Sequence, residues 1–210
     1  MKKCDTIATA ARHGARSDAA LCCDREMLVH GHGFSVVGES AVHVRVELDA
    51  RAGLPGFTLI GLGGGAARDA RERVQTAVLN SGFGFPRRRL TANLTPAAGP
   101  RSAGAFDLAL ACCVLAVAGE LAPERLARAG LFAQLGLGGD LRPWPGVGSA
   151  GGAAAGAGLS GLIVAPGDLE AARADAQLQV VALRNLGEVA QRLAGGRAQG
   201  HPSDVALGRR

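Results

Sequence analysis

The sequence predicts an α/β domain, and three stretches carry that prediction. From Val42 to Asp49 apolar and polar residues alternate, the period of a half-buried strand. From Ala67 to Val78 apolar residues recur at helical spacing, and beyond Phe106 helical and strand-like segments succeed one another to Leu193.

In the first stretch Val42, Val44, Val46 and Leu48 oppose His43, Arg45, Glu47 and Asp49, which gives one core face and one wet face. The segment "RAGLPGF" turns the chain and "FTLIGL" resumes as a strand, so a strand pair joined by a compact turn is expected. After the glycines at 63 to 65, Ala67, Ala70, Val74, Ala77 and Val78 form the apolar stripe of an amphipathic helix. Asn80-Ser81-Gly82 ends it, with Phe83 and Phe85 following as core anchors. "RLTANLT" makes the next strand, with Leu90, Ala92 and Leu94 on one side. The run from Phe106 to Ala118 is apolar nearly all round, as a central buried helix is, and Cys112 and Cys113 on it are expected to be inert. Strands then fall in "LFAQLGL", "DLRPW", "LIVA" and "LQVVAL", with helices near 150–157, 168–174 and 186–193.

Composition bounds the chemistry. The balance of 48% apolar and 20% charged residues over 210 positions is that of a globular chain. Lysine occurs only at Lys2 and Lys3, so arginine supplies the remaining basic charge behind the net +5. A Walker A loop and a Ser-Lys hydrolase each need a lysine in a structured setting, and neither lysine is in one. The opening segment has no secretory core, and the longest apolar run is shorter than the roughly 20 residues that span a bilayer. A cytoplasmic protein without membrane contact is expected. The cysteines, Cys4, Cys22, Cys23, Cys112 and Cys113, show no C-x-x-C spacing and imply no disulfide framework. Cys22, Cys23, His30 and His32 carry zinc-type donors, but adjacent cysteines serve one ion poorly, and no metal is expected.

The blocks "AGLPGFTLIGL", "RERVQTAVLNSGFGFPRRRLTANLTPA" and "GAFDLAL" resemble the start of the magnesium-chelatase-like AAA+ ATPase family that includes ComM-type competence proteins. "MLVHGHGFSVVGESAVHVRVEL", beginning at Met27, and "LFAQLGLGGDLRPWPGV" extend the resemblance over 27–194. It implies a Lon-protease-like domain of the ribosomal protein S5 domain 2 type, followed by βα units. Residues 1–26 share none of this order and are read as a disordered extension or a mis-assigned start, and 195–210 as a linker-like tail.

In the Lon-like pattern a serine before the central helix is activated by a lysine amine. The resemblance puts Ala105 at the serine position and Ala150 near the lysine position, so the dyad is absent; Ser102 is read as a loop hydrogen-bonder. Where the family has Pro-Asp, this chain has Gly63-Gly64-Gly65. With Gly61, this run between a strand and a helix matches part of a dinucleotide fingerprint, but the ribose-binding acid is missing: no Asp or Glu falls between Glu72 and Asp107. A flexible turn is the favoured reading of Gly61, Gly63, Gly64 and Gly65, and no cofactor is expected. Arg87, Arg88 and Arg89 form the densest basic cluster, weighed as a solvated loop against a phosphate contact. Trp144 is read as a packing residue, and the 3% aromatic content leaves no stacking platform for single strands.

The resemblance therefore implies a non-catalytic accessory domain of an ATPase acting in DNA branch migration, recombination and natural transformation, without the motor. Its expected partners are an AAA+ motor domain or protein, and DNA through that assembly. The alternatives are a stand-alone module regulating a separate motor, or a nucleotide-binding enzyme using the glycine loop.

Overall fold

The computed structural model describes residues 26–98, 104–174 and 176–194. Four strands build the first half: β1 (Met27–Val37), β2 (Ser40–Arg51), β3 (Gly56–Ile60) and β4 (Arg89–Thr95). Helix α1 (Gly64–Asn80) joins β3 to β4, and α2 (Asp107–Val117) follows β4. The short α3 (Pro123–Leu126) leads into β5 (Ala129–Phe132), and β6 (Gln134–Leu135) pairs with β7 (Leu141–Arg142) as a small hairpin. Then come α4 (Ala150–Gly156), β8 (Gly161–Val164), α5 (Leu169–Arg173), β9 (Gln179–Ala182) and α6 (Leu186–Leu193).

The main sheet has seven strands in the order β3-β4-β2-β1-β5-β8-β9. Only β2 runs against its neighbours; every other adjacent pair is parallel. The expected hairpin of β2 with β3 is corrected here: β4 lies between them, antiparallel to β2 and parallel to β3. The physical reason is the α1 crossover, which returns the chain parallel to β3 and lets β4 satisfy the open edges of both strands.

Helix α1 buries Ala67, Ala70, Val74, Ala77 and Val78, the stripe that the spacing predicts. Helix α2 buries every residue from Asp107 to Ala116. It lies directly on β1, because Gly31 and Gly33 give it room: a Cβ at Gly31 would come within 2.7 Å of Cys113 Sγ, and one at Gly33 within 2.9 Å of Phe106. These glycines also hid β1, which the sequence pattern did not mark as a strand, since glycine weakens the strand signal. On the other face of the sheet a second apolar cluster joins Phe34, Phe132, Leu162 and Val164 to Ala150, Ala154 and Ala172. That cover does not reach the β3-β4-β2 end, where Thr58, Ile60, Arg89 and Arg45 face solvent.

Candidate functional site

The residue that the resemblance puts at the nucleophile position and the one it puts near the base position belong to the same apolar cluster. Ala105 and Ala150 are both fully buried in the second apolar cluster, whose neighbours include Phe34 and Trp144. The nearest hydroxyl to Ala150 in sequence, Ser149 Oγ, is occupied: it accepts from Ala41 N at 2.6 Å and donates to Glu39 O at 3.2 Å, pinning the β1–β2 turn. Ser102, Lys2, Lys3, Cys4, Cys22 and Cys23 lie outside the described residues. Trp144 sits against Gly104, where any side chain would overlap the indole, and its backbone N–H donates to Asp168 at 3.0 Å.

The glycine loop divides in two. Gly61 has φ +89° and packs on the Leu94 backbone, while its carbonyl accepts from Ala98 N at 2.8 Å. Gly63 is the N-cap of α1 in extended conformation without a side-chain cap, and Gly63, Gly64 and Gly65 each have open space where a Cβ would stand. The fold thus requires a glycine at 61 and none at 63 to 65.

Arg87 and Arg88 lie in the bend before β4, with Arg89 opening the strand; Arg87 and Arg89 are exposed and Arg88 is half-buried. Register sets Arg89 beside Arg51 of β2, which pairs with Asp49 at 2.7 Å. Six of the seven strands run one way, so the starts of β4, β1, β5, β8 and β9 share one edge of the sheet, and the arginine triplet lies on it.

Sequence reasoning missed the one buried ion pair among the described residues. Arg73 of α1 grips Asp107, at the start of α2, through both carboxylate oxygens, Nε to Oδ2 at 2.8 Å and Nη2 to Oδ1 at 3.1 Å. Leu135 N donates to Oδ2 at 3.4 Å. Burial pushes the Asp107 carboxyl up to about 6, opposed by the hydrogen bond and charge of Arg73. The signal was available in principle, since a lone acid entering an all-apolar helix demands a buried partner. Burial also raises both thiols of α2, Cys113 to about 12.

His30, His32 and His43 cluster across β1 and β2. His32 Nε2 donates to Ala127 O at 3.1 Å, so the neutral ring accepts at Nδ1 from His43 Nε2–H at 2.8 Å. Among the described residues no three His, Cys, Asp or Glu side chains are grouped to hold a metal ion. Burial lowers both His32 and His43 below 6.5, helped by the charge of Arg45. A histidine whose folded pKa is depressed contributes stability that is present above 6.5 and lost as pH falls toward the folded value. The thermal midpoint is therefore expected to decline on acidification from neutral pH, and to decline less in His43→Gln. Parallel melting curves of the two proteins across that range would contradict this role.

A mostly parallel seven-stranded sheet packed with helices defines the class as an α/β domain, consistent with a ChlI-type, Lon-like fold. The chain matches the family model described as subunit ChlI of Mg-chelatase over residues 46–168, more than half its length, and belongs to that family. It is 39% identical to competence protein ComM of Haemophilus influenzae over 111 residues, covering 53% of this chain and 22% of that protein. Against the uncharacterized protein YifB of Escherichia coli it is 37% identical over 115 residues, 55% of this chain and 23% of the relative. Against the uncharacterized protein Rv2897c of Mycobacterium tuberculosis it is 36% identical over 167 residues, 79% and 33% respectively. The chain thus spans a third or less of the length of these relatives and corresponds to the N-terminal portion of the family. Among the described residues no helix is long and apolar enough to cross a membrane.

Proposed function

We propose that this chain is a non-catalytic, cytoplasmic accessory domain that handles DNA for an AAA+ motor of the ComM type, in branch migration and recombination during natural transformation. The non-catalytic part rests above all on Ala105 and Ala150, two methyl groups packed in one apolar cluster where the Lon-like pattern would set a nucleophile beside its base. Similarity to competence protein ComM supports the DNA part, as does the arginine triplet on the sheet edge, since guanidinium forks match phosphate oxygens.

If the triplet binds DNA, replacing Arg87, Arg88 and Arg89 by alanine lowers the salt dependence of binding by about one unit of slope for each phosphate no longer neutralised. Fluorescence anisotropy with a labelled duplex across a salt series reads this directly, and an unchanged slope would remove the triplet from the interface. Titration calorimetry with ATP and with NAD is expected to give no saturable heat. Saturable binding abolished by Gly63→Val would instead favour a nucleotide site in the glycine loop.

A further inference from the structure

Three arginines from separate elements line a cleft of about 260 Å³ at the starts of β5, β8 and β9. Arg125 comes from α3, Arg128 from the turn into β5, and Arg192 from the last turn of α6. The floor is mostly apolar, including Leu162, Val181 and Leu193, and no Asp or Glu lines the cleft. Among the described residues the arginine ion pairs are Arg51–Asp49, Arg73–Asp107 and Arg173–Glu170, so salt bridges leave these three guanidiniums un-neutralised.

The walls are tied together before any ligand arrives. Ser160 donates to Arg128 O from both its backbone N, at 2.9 Å, and its hydroxyl, at 3.1 Å. Ala122 N donates to Leu193 O at 3.3 Å, joining the approach to α3 to the end of α6. Arg192 Nη2 donates to Gln179 Oε1 at 3.3 Å, which holds one guanidinium beside the floor. Three cations around one concavity repel each other, and an anion bound between them relieves that repulsion.

We propose that this cleft binds phosphate groups. Guanidinium forks pair with phosphate oxygens through two parallel hydrogen bonds, and the volume lies below that of sites for drug-sized ligands, which suits one or two phosphoryl groups. The phosphate could come from a nucleic-acid backbone or from a soluble compound. Sheet polarity favours the backbone: the cleft shares its edge with Arg51 and Arg87 to Arg89. Only β2 and β1 separate β4 from β5, about 14 Å at ~4.8 Å per strand step. Nucleic acid as the source rests on the proposed function; the affinity for phosphate does not.

The test uses the full chain and two probes, inorganic pyrophosphate by titration calorimetry and a fluorescein-labelled duplex by anisotropy across a salt series. The triple variant Arg125→Gln, Arg128→Gln and Arg192→Gln is expected to lose pyrophosphate binding and to lower the duplex salt slope by about two to three units. Its thermal midpoint should hold, because all three side chains are exposed; if it falls, the corresponding Lys variants keep the charge and are expected to lose only the bidentate part of the affinity. Loss of pyrophosphate binding with an unchanged duplex slope supports the cleft with a soluble phosphate as its ligand. A lower slope in this variant, set beside the Arg87 to Arg89 variant, supports the backbone and separates the two basic regions. Unchanged behaviour toward both probes overturns the proposal.

Discussion

Replacing Arg73 with methionine is expected to destabilise the domain by about 3–5 kcal/mol, the cost of removing one partner from a buried ion pair. Asp107 is fully buried, whereas the Arg73 side chain keeps 24% of its exposure and can be lost without a cavity once methionine fills its stem. What remains is a carboxyl sealed against α1 with one long hydrogen bond, from Leu135 N at 3.4 Å. Without Arg73 nothing but that bond opposes burial, so the pKa of Asp107 rises above its present value of about 6. An acid whose folded pKa is raised contributes stability that is full below its unfolded value and is lost as pH rises through the folded one. The deficit of Arg73→Met should therefore be larger at pH 7 than in mild acid. Urea denaturation at both pH values measures it, and the double variant Arg73→Met with Asp107→Leu should recover much of the loss, because no charge is left unpaired. A single-variant loss below about 1 kcal/mol would mean that water reaches Asp107.

The pair illustrates what the sequence could and could not disclose. Local patterns were legible because one face of an element decides them: the α1 stripe, the Leu90, Ala92 and Leu94 face of β4, and the whole of α6 follow from periodicity. Strand β1 was not, because Gly31 and Gly33 answer to a helix some 75 residues later, and their meaning exists only once α2 is laid on them. Pairing was illegible for the same reason. Nothing local to β2 and β3 says that β4 will come between them. The arginine edge is a product of that topology: Arg89, Arg51, Arg128 and Arg192 are scattered in sequence, and the common direction of six strands gathers them. The candidate catalytic positions needed a family pattern, since two alanines carry no chemical signal; what the fold adds is that both enter one apolar cluster.

Gly61→Ala is expected to cost about 3 kcal/mol, and the effect decides what kind of glycine run this is. Its φ of +89° lies where a side chain is strained by about 1–2 kcal/mol. The added Cβ would also stand 2.6 Å from Leu94 O and 3.0 Å from Leu94 Cβ, and a backbone carbonyl inside a paired strand cannot step aside as a side-chain tip can. Relief would require β4 to shift against β3, or the Gly61 carbonyl to give up its bond from Ala98 N. Gly64→Ala meets open space in the first turn of α1, so a gain in helix propensity, at most about 0.5–1 kcal/mol at this terminal position, meets no opposing clash. Opposite signs for two glycines three positions apart, read from chemical denaturation, would mark Gly61 as a fold residue and leave the rest of the loop without a conformational need for glycine. Equal losses at both would instead indicate a backbone held close to something at the α1 N-terminus, the condition under which a phosphate-binding loop keeps its glycines.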